Sequence, residues 1–204
     1  MRVRGKLVTL EGVDGAGKST HVEFIADSLG AQGHHVVVTR EPGGTDLAEQ
    51  LREAILRHPM QPLAETLLLF AARADHVARV ILPALDSGHW VVCDRFSDAT
   101  AAYQGAGKGV SPELIERLCD AVHPGLRPER TLVFDCSYEM ARQRLAASGK
   151  PLDRFEREDR PFFERVRGAY LARAKAEPDR MRVIDASRDV VEVRKAIETH
   201  LAGL

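Results

Sequence analysis

The feature that most constrains this chain is a turn. The apolar run Lys6–Glu11 passes directly into Gly12-Val13-Asp14-Gly15-Ala16-Gly17-Lys18-Ser19, and a helical pattern follows over Lys18–Ala31. GxxxxGK[ST] between a strand and a helix has a specific chemical use. Its glycines let the backbone wrap closely around a polyphosphate and turn N–H groups inward, and the helix amino terminus adds a favourable dipole. Lys18 is placed to reach the β- and γ-phosphates, and the Ser19 hydroxyl to ligate Mg²⁺. Residues Gly12 to Thr20 are therefore expected to hold the phosphates of ATP or GTP. The competing reading is a chance glycine-rich turn, and the flanking strand and helix argue against it.

The rest of the chain repeats the alternation. Val-, Leu- and Ile-rich runs at His35–Thr39, Trp90–Asp94, Thr131–Asp135 and Met181–Ile184 read, with Lys6–Glu11, as strands buried on both faces. Helical patterns fill the intervals at Leu47–Arg57, Leu63–Leu85, Pro112–Ala121, Glu139–Ala146, Pro161–Ala176 and Val190–Leu201, with Ser111-Pro112 a cap followed by Pro at the first helical position. The expected fold class is α/β, a five-stranded parallel sheet flanked by helices with right-handed crossovers. One domain spanning 1–204 is favoured, since domains run to about 100–200 residues. Ligands of such sheets bind at the carboxyl ends of the strands, so the residues after each strand matter most.

Several classes are disfavoured. The chain contains no Asn, so the Asn-Lys-x-Asp segment with which GTP-binding switches read guanine cannot exist. Lys plus Arg number 29 against 30 Asp plus Glu, and a net charge of −1 gives no reason to seek nucleic acid or an anionic membrane. The longest apolar run, Leu67–Ala72, is too short to span a bilayer, and Glu11 interrupts any signal-like stretch. Cys93, Cys119 and Cys136 include no CxxC and cannot all pair, which points to a reducing compartment and a cytoplasmic protein.

Two further features bear on chemistry. Val91-Val92-Cys93-Asp94-Arg95 sets a carboxylate and then a guanidinium at a strand end. Asp94 can complete a Mg²⁺ shell opposite Ser19, and Arg95 offers a planar fork to a phosphate; an ordinary strand-end ion pair is the alternative. An Arg beside the metal site suggests a second anionic substrate, hence a transferase. Ser148–Arg160, SGKPLDRFEREDR, follows a helix bearing Arg142 and Arg144. It reads equally as a solvated loop and as a lid that closes over ATP and carries an Arg to the transferring phosphoryl group.

Together these residues resemble the thymidylate kinases, P-loop nucleoside monophosphate kinases that phosphorylate dTMP. EGVDGAGKST, TREPGGT at 39–45, CDRFSDATAAYQGAGKG at 93–109 and LDR at 152–154 match in order, and the resemblance covers essentially the whole chain. It implies ATP-dependent phosphorylation of dTMP to dTDP with Mg²⁺, and a homodimer. On matching positions it implies that Phe70 stacks on thymine and Arg73 donates to its O4. Thr100 and Gln104 line the base pocket, Tyr103 packs on the sugar and disfavours a ribose 2′-OH, and Asp14 accepts from the 3′-OH. Arg95 holds the acceptor phosphate, with Arg40 and Pro42 shaping that side. Lys18, Arg95 and Asp94 are expected in catalysis, together with Arg154 from the lid, because the loop itself carries no Arg. Ser19 and Asp94 hold the metal; Arg142 or Arg144, and Ala186, meet the adenine. The chain departs from the pattern at Phe96 (commonly Tyr), Ala99 (commonly Ser) and Lys108 (commonly Arg). Two alternatives remain: a kinase for another nucleotide or small metabolite, and a nucleotide-regulated module without catalysis.

Overall fold

The computed structural model describes residues 3–204. Five parallel strands, β1 Leu7–Gly12, β2 Val36–Arg40, β3 Trp90–Asp94, β4 Arg130–Asp135 and β5 Met181–Asp185, form one sheet in the order β2-β3-β1-β4-β5. From β1 the chain runs out to the edge strand β2, returns to lay β3 between them, and then crosses to β4 and β5 on the other side. The carboxyl ends of β1 and β3 therefore lie at the topological switch, where such sheets open a crevice.

β1 shows why the sheet needs helices on both faces. Val8 and Leu10 enter a large cluster with Ile25, Leu29, Leu132 and Phe134, while Leu7 enters a second with Val77, Ile81, Val91 and Phe96. Between the apolar layers, the Thr9 and Thr131 hydroxyls bond to each other at 2.8 Å, so two buried polar groups satisfy one another. The expectation that all five strands are buried on both faces holds for β1 and nearly so for β3 and β4. It fails for β2 and β5. These are the sheet edges, and Val38 and Val183 are each 43% exposed.

The helices follow the sequence pattern closely: α1 Ser19–Ala31, α2 Asp46–Arg57, α3 Pro62–His76, α4 Leu82–Asp86, α5 Ser97–Thr100, α6 Pro112–Val122, α7 Tyr138–Ala147, α8 Arg160–Ala176 and α9 Val190–Leu201. Side-chain caps set several starts: the Thr45, Ser111, Ser137 and Asp159 side chains accept from the N–H groups of Ala48, Leu114, Met140 and Phe162. The single helix expected over Leu63–Leu85 is interrupted by a π-turn, Val77–Ile81. Pro83 follows at the second residue of α4; it cannot donate to the preceding turn, and its ring crowds the carbonyl there, so the helix widens just upstream. A second wide helical segment, Ala101–Gly107, continues α5 where sequence periodicity shows no helix. It packs on α8, and a Cβ at Gly107 would lie 2.6 Å from the Phe162 ring, so only glycine allows the approach.

Candidate active site

The phosphate loop has the geometry its sequence demands. Gly15 has φ +79°, and a Cβ there would stand 2.5 Å from the Ala141 carbonyl oxygen. That backbone is closed to other residues. Lys18 Nζ folds back onto the loop, donating to the carbonyls of Gly12 (3.1 Å) and Val13 (3.2 Å). Burial, and then the Arg95 charge, push its pKa down against Asp94, Asp14 and Glu11. Its ammonium thus waits in a position that an arriving phosphate oxygen would improve.

A cavity of about 790 Å³ opens over the loop, lined by Asp14 to Thr20 and by Arg40, Asp94, Arg95, Arg144 and Ala186 among others. Gly12 and Val13, expected to contact nucleotide, lie behind it. The Gly12 carbonyl is taken by Lys18 and Arg95, and Val13 is in the core. Of the two arginines expected near the adenine, Arg142 donates to the Glu156 carbonyl at 2.6 Å and does not line this cavity. Arg144 does line it, bridging the carbonyls of Ala16 (3.1 Å) and Ala186 (2.7 Å).

Asp94 Oδ1 is buried with no hydrogen-bond partner, at the edge of the same cavity as the exposed Ser19 hydroxyl. An orphaned carboxylate oxygen opposite a hydroxyl fits Mg²⁺, which keeps several waters and uses one or two protein ligands plus substrate phosphates. Among the described residues, no group of three or more His, Cys, Asp or Glu side chains could hold a metal alone.

Arg95 sits at the hinge of the site. Its φ is +72°, the left-handed region, which a non-glycine residue enters at a cost. The side chain spans β1 and α8. It donates to the Gly12 carbonyl (2.9 Å), to the Tyr170 hydroxyl (3.2 Å), to Asp14 Oδ1 (2.5 Å) and to the Tyr103 hydroxyl (3.1 Å). Tyr103 donates in turn to Asp14 Oδ2 at 2.8 Å, which closes a triangle. Burial would raise the Asp14 pKa; Arg95 and Lys18 outweigh it and hold the carboxyl below its ordinary range.

A smaller cavity, about 100 Å³, adjoins the first. Arg73 lies in its wall, 3% exposed. Nε donates to Glu41 Oε2 (2.6 Å) and Nη2 to Thr100 Oγ1 (3.0 Å) and the Phe96 carbonyl (3.3 Å), while Nη1 is buried without a partner. That leaves the two N–H groups of Nη1 free on a guanidinium otherwise fixed, as recognition of a carbonyl requires. Glu41 is shared with His76 Nδ1 (3.0 Å), whose Nε2 meets Thr39 Oγ1 (2.7 Å). Burial acts to raise the Glu41 pKa, but Arg73 and His76 hold it low.

Pro42, Thr100, Tyr103 and Gln104 line this cavity as expected. Phe70 does not. It is 2% exposed and packs with Val110 and Ile115, beneath the Arg73 guanidinium at 4.8 Å. The apolar wall is Leu69, Ile55, Leu56, Phe96 and, from the lid, Phe155. Arg40 lines the larger cavity and pairs with Glu49 at 2.9 Å. Arg154 lines neither cavity; it forms an ion pair with Glu65 and bonds the Ile55 carbonyl. The lid's cation over the phosphate side is Lys150, accompanied by Asp153 and Glu156.

The two cavities share Asp14, Glu41, Arg52, Arg95 and Asp153. Arg52 was not singled out from sequence. It donates to the Pro42 carbonyl at 3.1 Å, and burial and then the nearby Arg40 charge lower its pKa. The available signal was positional: Arg52 falls four residues after Ala48 and three before Ile55, on the buried stripe of α2.

A family model described as thymidylate kinase matches residues 10–197. A thymidylate kinase of Bordetella petrii is 54% identical over 204 residues, covering 100% of this chain and 98% of its own length. One of Cupriavidus necator is 52% identical, covering 99% of this chain and all of its own. The crystal structure of thymidylate kinase from Ehrlichia chaffeensis superposes with a TM-score of 0.78 at 32% identity, over 96% of this chain and 98% of that one. By its fold, its two adjoining cavities and its likeness along nearly its whole length, the chain belongs to the thymidylate kinase family.

Proposed function

We propose that this chain transfers the γ-phosphoryl group of ATP to dTMP, with the triphosphate in the larger cavity and dTMP in the smaller. The observation that carries this reading is the shared strip. Two cations, Arg52 and Arg95, stand where the cavities meet, so an acceptor phosphate and a γ-phosphate would approach each other between guanidinium groups. Two phosphates repel, and phosphoryl transfer is catalysed chiefly by positioning and charge neutralisation. The second pKa of a phosphomonoester is about 6, so the attacking oxygen is largely ionised at neutral pH and needs no strong base.

Each residue then has a physical task. Lys18 exchanges its two carbonyl bonds for phosphate oxygens. Arg95 and Arg52 hold the acceptor phosphate, and Tyr103, fixed by Asp14 and Arg95, borders the sugar. Arg73 offers Nη1 to the carbonyl of the base, with Thr100 and Glu41 fixing its plane. Lys150, rather than Arg154, supplies the lid's charge over the phosphates. Asp94 and Ser19 would hold Mg²⁺, which when bound supplies charge neutralisation between the phosphates. Closure of the lid excludes water and so limits hydrolysis of ATP.

The homodimer belongs to this proposal. Leu63 and Leu67, one turn apart on α3, are 50% and 49% exposed and supply an apolar face for a second copy. The three free cysteines support the cytoplasm as its compartment, and no helix among the described residues is long and apolar enough to cross a membrane. Coupled ADP release with Mg·ATP and dTMP, dUMP, ribosyl-TMP, dCMP or AMP tests the activity. Turnover on dTMP with the ribose form poor is the expected result. Turnover on another acceptor alone would keep the kinase and discard the pocket.

A further inference from the structure

The lid is tied at one end to a carboxylate that the transfer itself does not use. Glu65, on α3, is fully buried. Its Oε1 accepts from Gln104 Nε2 (2.7 Å) and Lys108 Nζ (2.9 Å); its Oε2 accepts from Lys108 (2.8 Å) and pairs with the Arg154 guanidinium. These partners come from separate places. Gln104 belongs to the wide helical segment that also carries Tyr103, Lys108 ends that segment, and Arg154 belongs to the lid.

Phe155 joins the network to the acceptor cavity. Two cations lie over its ring, the Arg154 guanidinium at 4.3 Å and the Lys108 ammonium at 4.5 Å, with Tyr103 edge-on at 5.9 Å. The same ring lines the cavity proposed for dTMP. Immediately before it, Asp153 accepts from the N–H groups of Phe155 (2.8 Å) and Glu156 (3.0 Å), so this part of the lid is a compact turn. Asp153 in that turn and Lys150, three residues before it, line the donor cavity. A carboxylate with no access to water cannot exchange its partners for solvent, so the cations it holds are held firmly.

We propose that Glu65 is a positioning residue that couples acceptor binding to lid order. Glu65 fixes Gln104 in one wall of the acceptor cavity and, through Arg154 and Lys108, Phe155 in another. A nucleotide filling that cavity packs on Phe155 and Tyr103, closes the turn at 153–156 against Glu65, and brings Lys150 over the phosphates. The acceptor alone therefore orders the lid. The inference rests on assigning dTMP to the smaller cavity.

Hydrogen exchange of amides 150–157, read with no ligand, dTMP alone, ADP alone and both, tests it in the parent chain, Glu65→Gln and Arg154→Gln. In the parent, dTMP alone slows exchange across the lid. In Glu65→Gln that slowing is lost and KM for dTMP rises about tenfold, the effect of one charge-assisted bond, while ADP affinity stays unchanged. Arg154→Gln shifts both in the same direction but less, because Lys108 and Gln104 still satisfy Glu65. It also serves as the informative variant if Glu65→Gln folds poorly. Full dTMP-induced protection in Glu65→Gln or Arg154→Gln overturns the proposal, as does a parent lid ordered only by ADP. A loss of ADP affinity equal to the loss of dTMP affinity would make Glu65 a general structural residue and overturn it too. Failure of the parent to phosphorylate dTMP would instead defeat the assignment of the cavity.

Discussion

Arg73 shows how much of the site depends on a single buried side chain. Its guanidinium is fixed by Glu41, Thr100 and the Phe96 carbonyl, and Nη1 is left without a partner on a side chain that lines the acceptor cavity. Arg73→Lys keeps a charge but cannot serve Glu41 and the base together. A charge-assisted hydrogen bond is worth about 1.5–3 kcal/mol, so kcat/KM for dTMP should fall about 10- to 100-fold, with KM for ATP unmoved; steady-state kinetics with each substrate varied checks this. Glu11 carries a different prediction. It accepts from the Phe96 N–H (2.7 Å) and the Tyr170 hydroxyl (2.7 Å) without exposure to water. Burial, and then the Asp98 carboxylate, push its pKa from 4.5 up to about 7, against the pull of Arg95. Asp98 does not take the proton: although burial raises its pKa, Arg180 and Arg173 hold it low. Because the folded pKa of Glu11 is raised, its contribution is fully present below the unfolded value and is lost as pH climbs through about 7. Glu11→Gln removes that loss. Urea unfolding at about pH 5 and about pH 8 should show the variant gaining on the parent by about 2.5 kcal/mol across the interval; a constant difference would contradict the buried proton.

At the scale of elements, what was legible in the sequence was what is local. The phosphate loop, the strands and most helix ends follow from patterns a few residues long, and the caps at Thr45 and Ser111 confirm the mechanism. The wide segments were illegible. One accommodates Pro83 inside an otherwise continuous apolar stripe, and the other contains Gly105 and Gly107 and is held by α8. Phe70 lies outside the cavity lining for a related reason. Leu69 and Phe70 lie four and three residues before Arg73, so both share its side of α3, and only the packing of Val110 and Ile115 puts Phe70 in the core and Leu69 in the cavity. Spacing puts Arg52 on the buried stripe of α2 but names no role for it, and Glu65 announces none, because each acts through partners distant in the chain. The lid gives the sharpest test at this scale. Lys150 lines the donor cavity and Arg154 does not. Lys150→Ala should therefore lower kcat with little change in KM for dTMP, whereas Arg154→Ala should raise KM for dTMP. Removing one transition-state contact costs about 2.7–4 kcal/mol, so the kcat effect should be about 100-fold or more. The reverse pattern would return the catalytic role to Arg154.

At the scale of the molecule, the sheet divides the labour. The switch at β1 and β3 brings Lys18, Asp94 and Arg95 to one edge, and the donor cavity lies there. The acceptor cavity starts from the same strand ends and reaches further out, its outer walls supplied by α2, α3, α5 with the segment after it, and the lid. It depends on how α3 is seated. One face of α3 is buried and carries Glu65, Leu69, Arg73 and His76; the opposite face shows Leu63 and Leu67, each about half exposed. An exposed apolar pair on a helix that forms a binding wall is stabilised by a partner surface, and the proposed homodimer supplies one. Leu63→Glu with Leu67→Glu puts two carboxylates per copy on that face, so across a two-fold axis four like charges converge in a desolvated contact. Sedimentation equilibrium should give the parent at twice the 22.5 kDa of one chain and the double variant at that single mass. Because the same helix presents Leu69 and Arg73 to the acceptor, the monomer should also bind dTMP more weakly, while ADP affinity, set at the sheet edge, should be unchanged. A double variant that keeps the parent's mass would place the contact between copies on another face and leave α3 seated by its own chain alone.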